Sequence, residues 1–310
     1  MPRLIPTDPA EEAISLDDLV EALETGGFDP EDEESIAAFG PALARLGRNR
    51  RFLGDLVIDE LKQGCAGQVA RNQYSAQVIL LHGGASKFAL RANFWPAEED
   101  SVVVNSGTSP FFYDVPHDHN FSFLTVGYFG PGYGSDYYEY DYRAVVGAVG
   151  EPAPLRFVER SSLSPGKVLL YRKHRDVHRQ LPPDSLSVSL NVLALSPSND
   201  FRDQYLFDLD RREVAGFANP SGLEGLVALA ARIGGGNGND LVESFSRSHP
   251  SERIRFAAWR ARAAGAGDGE ARIAVYEQAA ADPGAFVSAM ARREAGKLRA
   301  RLDAAAVRAA

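Results

Sequence analysis

The sequence predicts a β-rich α+β protein: an antiparallel β-barrel or sandwich, preceded by helices and followed by an all-helical region. From about residue 74 the apolar pattern breaks into short aromatic or β-branched runs separated by Gly, Pro, Asn and Ser clusters. Eight or more such runs follow one another without long intervening helices, which favours antiparallel pairing over alternating strand and helix. On either side the period is helical, and residues 222–310 are rich in Ala, Arg, Leu and Glu. The chain therefore divides into a helical segment (1–73), a β region (74–218) and a C-terminal helical region (219–310).

The elements follow in order. "DDLVEALETGG" reads as a helix stopped by Gly26-Gly27, and "DPEDEESIAAFGPALARL" as one opened by acidic residues at its positive end. "RRFLGDLVIDELKQG" places Phe52, Leu53, Leu56, Val57 and Leu61 on one stripe. The predicted strands are "YSAQVILLHG", "SKFALRANFWP", "NFSFLTVGYFG", "DYYEYDYRAVVGAV", "LRFVERSSL", "GKVLLYRK", "SLSVSLNVLAL" and "QYLFDLDRREVAGF". "SHPSERIRFAAWRARA" opens a helix with Ser and Pro, and "GGGNG", lacking both a Walker ending and a preceding strand, reads as a turn.

Composition narrows the function. A formal charge of -9 and a pI near 5.3 predict neither a nucleic-acid nor an anionic-membrane partner. The single cysteine, Cys65, cannot form an internal disulfide, and the chain contains neither a long apolar run nor a cleavable leader pattern, so a soluble cytoplasmic protein is expected.

The chemistry points to "YDVPHDHNFSF". If this is a strand, His117, His119, Phe121 and Phe123 share one face, and the phenylalanines suggest that it looks inward. Two buried imidazoles need partners, because an unpaired buried polar group costs a few kcal/mol. A metal ion would satisfy both. A third ligand is available in "SPGKVLLYRKHRDVHRQ", where His178 is the candidate and His174 its rival. Asp118 points to the other face, as a supporting residue or a surface cap. Glu139, expected to pair across a hairpin near Gly127, lies too far along the strand to be a ligand. His82 and His249 read as structural, and Cys65 as an inert small residue. Tyr128 and Tyr138, in a tyrosine-rich run, offer phenols for substrate chemistry, with packing as the alternative. Arg91, Arg143, Arg156 and Arg172 lie on strands, where an inward arginine could hold a carboxylate; parity alone does not choose between them.

The His-x-His pair, a glycine at 130 and the later succession of turn, strand, histidine and strand resemble the two motifs of cupin barrels, which have a double-stranded β-helix fold. The glutamate of the first cupin motif is absent, since Phe123 and Leu124 occupy its place. In this the chain is similar to the three-histidine members, the cysteine dioxygenase-like non-haem iron dioxygenases. Over roughly residues 70–200 that resemblance implies metal ligands His117, His119 and His178, with Arg71 of "ARNQY" as the substrate-carboxylate arginine. It also implies Fe(II), with O2 and a small thiol, amino acid or peptide-borne group as substrates; imidazole ligands alone suit Zn, Ni and Cu as well, and Mn stays open. The family's Ser-His-Tyr run corresponds here to Ser189, Asn191 and Leu193, which argues against cysteine itself. The C-terminal helices resemble HEAT-type pairs, a candidate surface for a protein partner, or form a cap on the barrel. The alternative to an enzyme is a metal-containing or degenerate cupin that binds a ligand or a protein.

Overall fold

The computed structural model describes residues 1–72, 74–75, 77–83, 87–219 and 221–309, so the expected boundary at residue 73 lies outside the described residues. The chain forms two compact units, one of residues 1–142 with 153–212, the other of residues 143–152 with 213–310. The N-terminal helices thus share a unit with the sheets.

In the first unit, a six-stranded antiparallel sheet contains β1 (Arg3–Ile5), β2 (Val78–His82), β3 (Phe88–Trp95), β4 (Phe123–Phe129), β7 (Val168–Tyr171) and β9 (Ser187–Ala194), ordered β1-β7-β4-β9-β3-β2. A three-stranded sheet holds β5 (Gly134–Glu139), β6 (Arg156–Ser162) and β8 (Asp176–Leu181), ordered β6-β5-β8. A further strand, β10 (Tyr205–Asp208), follows. β4 and β7 are neighbours in the large sheet, and their successors β5 and β8 are neighbours in the small one. Two adjacent strands of the large sheet thus continue into two adjacent strands of the small one. The hairpin expected between β4 and β5 does not form: β5 pairs with β6 and β8 instead. Gly130 lies where the chain crosses; its φ is +75°, and a Cβ there would sit 2.3 Å from Leu186 O.

Helices cover the outer face of the large sheet: α1 (Leu16–Thr25), α2 (Glu33–Ala38), α3 (Gly40–Arg48), α4 (Phe52–Lys62) and α5 (Ala66–Arg71). α1 starts with a capping box, Ser15 Oγ accepting from Asp18 N (3.1 Å) and Asp18 Oδ2 from Ser15 N (2.8 Å). The second predicted helix is broken into α2 and α3 at Phe39, immediately before Gly40-Pro41. Leu19, Leu23, Leu43 and Leu46 pack on Leu90, Leu124, Val126, Leu170 and Val192 in one apolar core. The segment between β3 and the histidines contains α6 (Ser101–Ser106) and a 3-10 turn (Ser109–Phe111).

Among its described residues the second unit contains β11 (Glu213–Phe217), α7 (Gly222–Ile233), α8 (Gly235–Ser248), α9 (Glu252–Gly265), α10 (Gly269–Ala279) and α11 (Ala285–Ala309). The "GGGNG" segment is more than a turn: Gly234 joins α7 to α8, and the following glycines form the first turn of α8. Ser251, after the proline, caps α9. Among the described residues no helix is long and apolar enough to cross a membrane.

Candidate metal centre

Strand parity separates the two faces of the large sheet. Phe88, Leu90, Ala92, Leu124, Val126, Leu170, Val188, Leu190 and Val192 face the helices. One residue along, Trp95, Phe123, Leu169, Tyr171 and Leu193 face the small sheet and meet Tyr133 and Tyr137 of its side. The histidines stand over this second core.

His117 and His119 precede β4 rather than opening it, since the strand begins only at Phe123. They are held by bridging. His117 N donates to His178 O (3.1 Å) and His178 N to His117 O (3.0 Å), a reciprocal antiparallel pair that seats one ring beside the other. His119 O accepts from His174 N (2.8 Å). Asp118, buried between the two, accepts from Tyr140 Oη and from Tyr205 N, both at 2.6 Å, anchoring the loop on the side away from the rings. Burial raises its carboxyl pKa to about 7, against the lowering effect of those two donors.

The three rings converge. One ligand atom from each of His117, His119 and His178 lies within 4.8 Å of the others. His119 Nε2 is 3.1 Å from His178 Nε2, which is 3.2 Å from His117 Nε2. His117 Nδ1 is 2.7 Å from Val115 O, which places its proton on Nδ1 and leaves a lone pair on Nε2. His119 Nδ1 and His178 Nδ1 are buried without partners. Metal–nitrogen bonds of about 2.0–2.1 Å at octahedral or tetrahedral angles put adjacent nitrogens roughly 2.8–3.4 Å apart, so the trio fits a divalent ion. Burial holds the rings neutral: His117 falls to about 4, while burial and the neighbouring rings push His119 and His178 well below the ordinary histidine value. Neutral imidazoles are the form a metal needs.

Tyr171 meets His178 at a ring distance of 4.9 Å and stacks on Phe123 at 4.5 Å; Phe123 lies 4.9 Å from His119. Phe121 completes the aromatic rim, 5.1 Å from His119.

Other predicted residues lie elsewhere. His174 has φ +58° and packs tilted against Tyr142 with ring centroids 4.0 Å apart, outside the trio. Tyr128, expected among the catalytic groups, has the parity of Leu124 and Val126 and faces the helices, where its Oη donates to Asn49 O (2.9 Å). Arg71, expected to bind substrate, is exposed on α5, and its Nε donates to Gly67 O of its own helix (3.4 Å). Glu139 is held by Arg172 (2.9 Å) and Arg156 (2.7 Å). Of the strand arginines, Arg91 shares the inward face with Asn93 and Trp95. The polar residues beside it were not singled out from sequence as a group, although Ser187, Ser189 and Asn191 alternate with apolar neighbours along β9 and so announce a polar face.

No protein-family model and no curated protein matches this chain. Solved structures match weakly. One described as the DMSP lyases RdDddP and RnDddQII is 9% identical, covering 64% of this chain and 82% of its own, with a TM-score of 0.27. A cupin-like protein from Thermotoga maritima is 12% identical, covering 44% and 80%, at 0.23. Procruciferin from Brassica napus is 8% identical at 0.24, covering 40% of this chain, which spans about 26% of that chain's length. At these scores they add nothing to the strand order already described.

Proposed function

We propose that this chain is a metal-dependent enzyme of the cupin type, a non-haem Fe(II) oxygenase acting on a small thiol, an amino acid or a peptide-borne group. The observation that carries the proposal is the convergence of three buried imidazoles, with Nε2 contacts at 3.1 and 3.2 Å. His117, His119 and His178 would hold the ion, which supplies open coordination positions where substrate and O2 meet. The His117–Val115 contact fixes one ring's tautomer, and the reciprocal His117–His178 backbone pair fixes the spacing between two ligands. Phe121, Phe123 and Tyr171 exclude water around the trio and thereby strengthen electrostatic interactions there. With three neutral ligands the ion's charge is uncompensated, so an anionic substrate is favoured.

A second reading has its own observation. Leu223, Leu226, Leu229 and Ile233 lie on exposed positions of α7, spaced as one helical stripe, as a binding module with a protein partner would present. Metal analysis of protein purified without oxygen, followed by oxygen-uptake assays with thiols and amino acids, separates the two. The oxygenase reading expects about one iron per chain and uptake with at least one substrate. Stoichiometric metal with no uptake for any substrate would favour the binding module.

A further inference from the structure

We infer that the groove between α4, α5 and β2 binds a small apolar amine, with its ammonium held by the Glu60 carboxylate and its hydrocarbon body lying against Val57, Leu61, Val69, Val78 and Ile79. The inference rests on neither a metal nor the reaction proposed above.

The groove follows from the way α5 is folded back. Gly64 and Cys65 both have left-handed backbone, at φ +63° and +58°, and so turn the chain sharply at the end of α4. α5 then lies beside β2, the last strand of the large sheet among the described residues, and its amide side chains stand in for a neighbouring strand. Gln68 Oε1 accepts from Leu80 N at 2.9 Å and its Nε2 donates to Leu80 O at 3.0 Å, while Asn72 Nδ2 donates to Val78 O at 2.6 Å. Between α4, α5 and the strand lies a space of about 500 Å3. Small-molecule sites span roughly 300–1,000 Å3.

Most polar groups of the lining are already engaged. Gln68 and Asn72 are committed to the strand and to each other (Asn72 Nδ2 to Gln68 Oε1, 3.1 Å), Asn72 Oδ1 accepts from Tyr74 N at 2.9 Å, and Ser75 Oγ donates to Pro110 O at 3.4 Å. Glu60 is the exception: its Oε2 is enclosed and has no hydrogen-bond partner. The basic residues next to the lining in sequence are occupied elsewhere, Lys62 with Asp59 at 3.7 Å and Arg71, whose Nε donates to Gly67 O at 3.4 Å. Gly67 makes room for the carboxylate, since a Cβ there would stand 2.5 Å from Glu60 Oε1. An enclosed carboxylate oxygen without a donor costs more than a neutral orphan, so its counterpart should bring both a positive charge and an N–H. Around it the lining is hydrocarbon, and Leu61 and Val69 are 66% and 81% exposed. An apolar body that covers them is stabilised in proportion to the area it removes from water. One acid beside an apolar wall selects a hydrocarbon amine over an amino acid, whose carboxylate would meet Glu60, and over a polyamine, whose second charge would lie on hydrocarbon.

The test uses full-length protein and probes of equal chain length, hexylamine, 1-hexanol and hexanoate, in isothermal titration near neutral pH. Hexylamine, cationic under those conditions, is expected to bind roughly 10- to 100-fold more tightly than the alcohol, the equivalent of one charge-assisted interaction, and hexanoate more weakly than either. Glu60→Gln should bring the amine down to the alcohol's affinity and leave the alcohol unchanged. Val69→Ser, at a position exposed enough to spare folding, should weaken amine and alcohol alike by roughly 2- to 5-fold, and it locates the site if the glutamine variant does not fold. Equal binding of amine and alcohol, an amine preference that survives in Glu60→Gln, tightest binding of hexanoate, or affinities indifferent to Val69→Ser would each overturn the assignment.

Discussion

The two faces of the large sheet are built from the same strands, one residue out of phase, and they are organised on different principles. The outer face is apolar where β3, β4, β7 and β9 meet the helices, and its polar exception, Tyr128, has found a carbonyl. The inner face carries aromatic rings, amides, hydroxyls, a guanidinium and, above them, three imidazoles, and buried atoms there lack partners. The outer side is an apolar core with its polar group satisfied, whereas the inner side combines an aromatic core with buried polar atoms that lack partners. A protein gives up the stability of satisfied hydrogen bonds where a ligand is to supply them.

The contrast can be broken most sharply at the histidines. His178→Ala should reduce bound metal to background, whereas His174→Ala, four residues away but packed against Tyr142, should leave the metal content intact; plasma mass spectrometry of both variants decides. The opposite pattern would replace the third ligand. Next in size, adjacent positions on β4 should respond in opposite ways. Leu124→Ala on the outer face should cost about 2–5 kcal/mol in urea unfolding, whereas Thr125→Val on the inner face should cost almost nothing, because it removes an unpartnered hydroxyl and keeps the shape. A large loss at Thr125 would mean that the inner face is packed for stability after all.

The last comparison is in pH. In metal-free protein the His117 pKa is down at about 4 and those of His119 and His178 lie well below the ordinary 6.5, all chiefly through burial. The unfolded chain therefore takes up protons first. Stability should be fully present above about pH 6.5 and decline as the pH falls from there through 4. Metal loading should steepen the decline, because protons and metal compete for the same lone pairs. Urea midpoints across that range that stay flat without metal would show the rings to be solvated.

Much of this was legible in the sequence because it is local. Period-two runs gave most of the strands, "HDH" gave two converging rings, and the strand after Pro165-Gly166 led to the third. β8, around His178, was not foreseen as a strand: its run DVHRQL opens on Asp176, a poor β former, and carries few apolar residues, and it is kept in the ladder by pairing with β5. Tyr128 and Arg71 were misjudged for a related reason. A tyrosine among tyrosines gives no sign of which face it takes, and an Arg-Asn pair reads the same whether its helix faces a cavity or water.

The sequence by itself determined the succession of elements and the residue types able to hold a metal, because propensity, turn chemistry and alternation act over a few neighbouring residues. Only the tertiary structure decided that β4 and β5 belong to different sheets, that His178 rather than His174 joins the pair, and that Arg91 faces inward while Tyr128 faces the helices. Those outcomes depend on which distant strands exchange hydrogen bonds, and a shift of one residue in that pairing reverses the face of every side chain it carries.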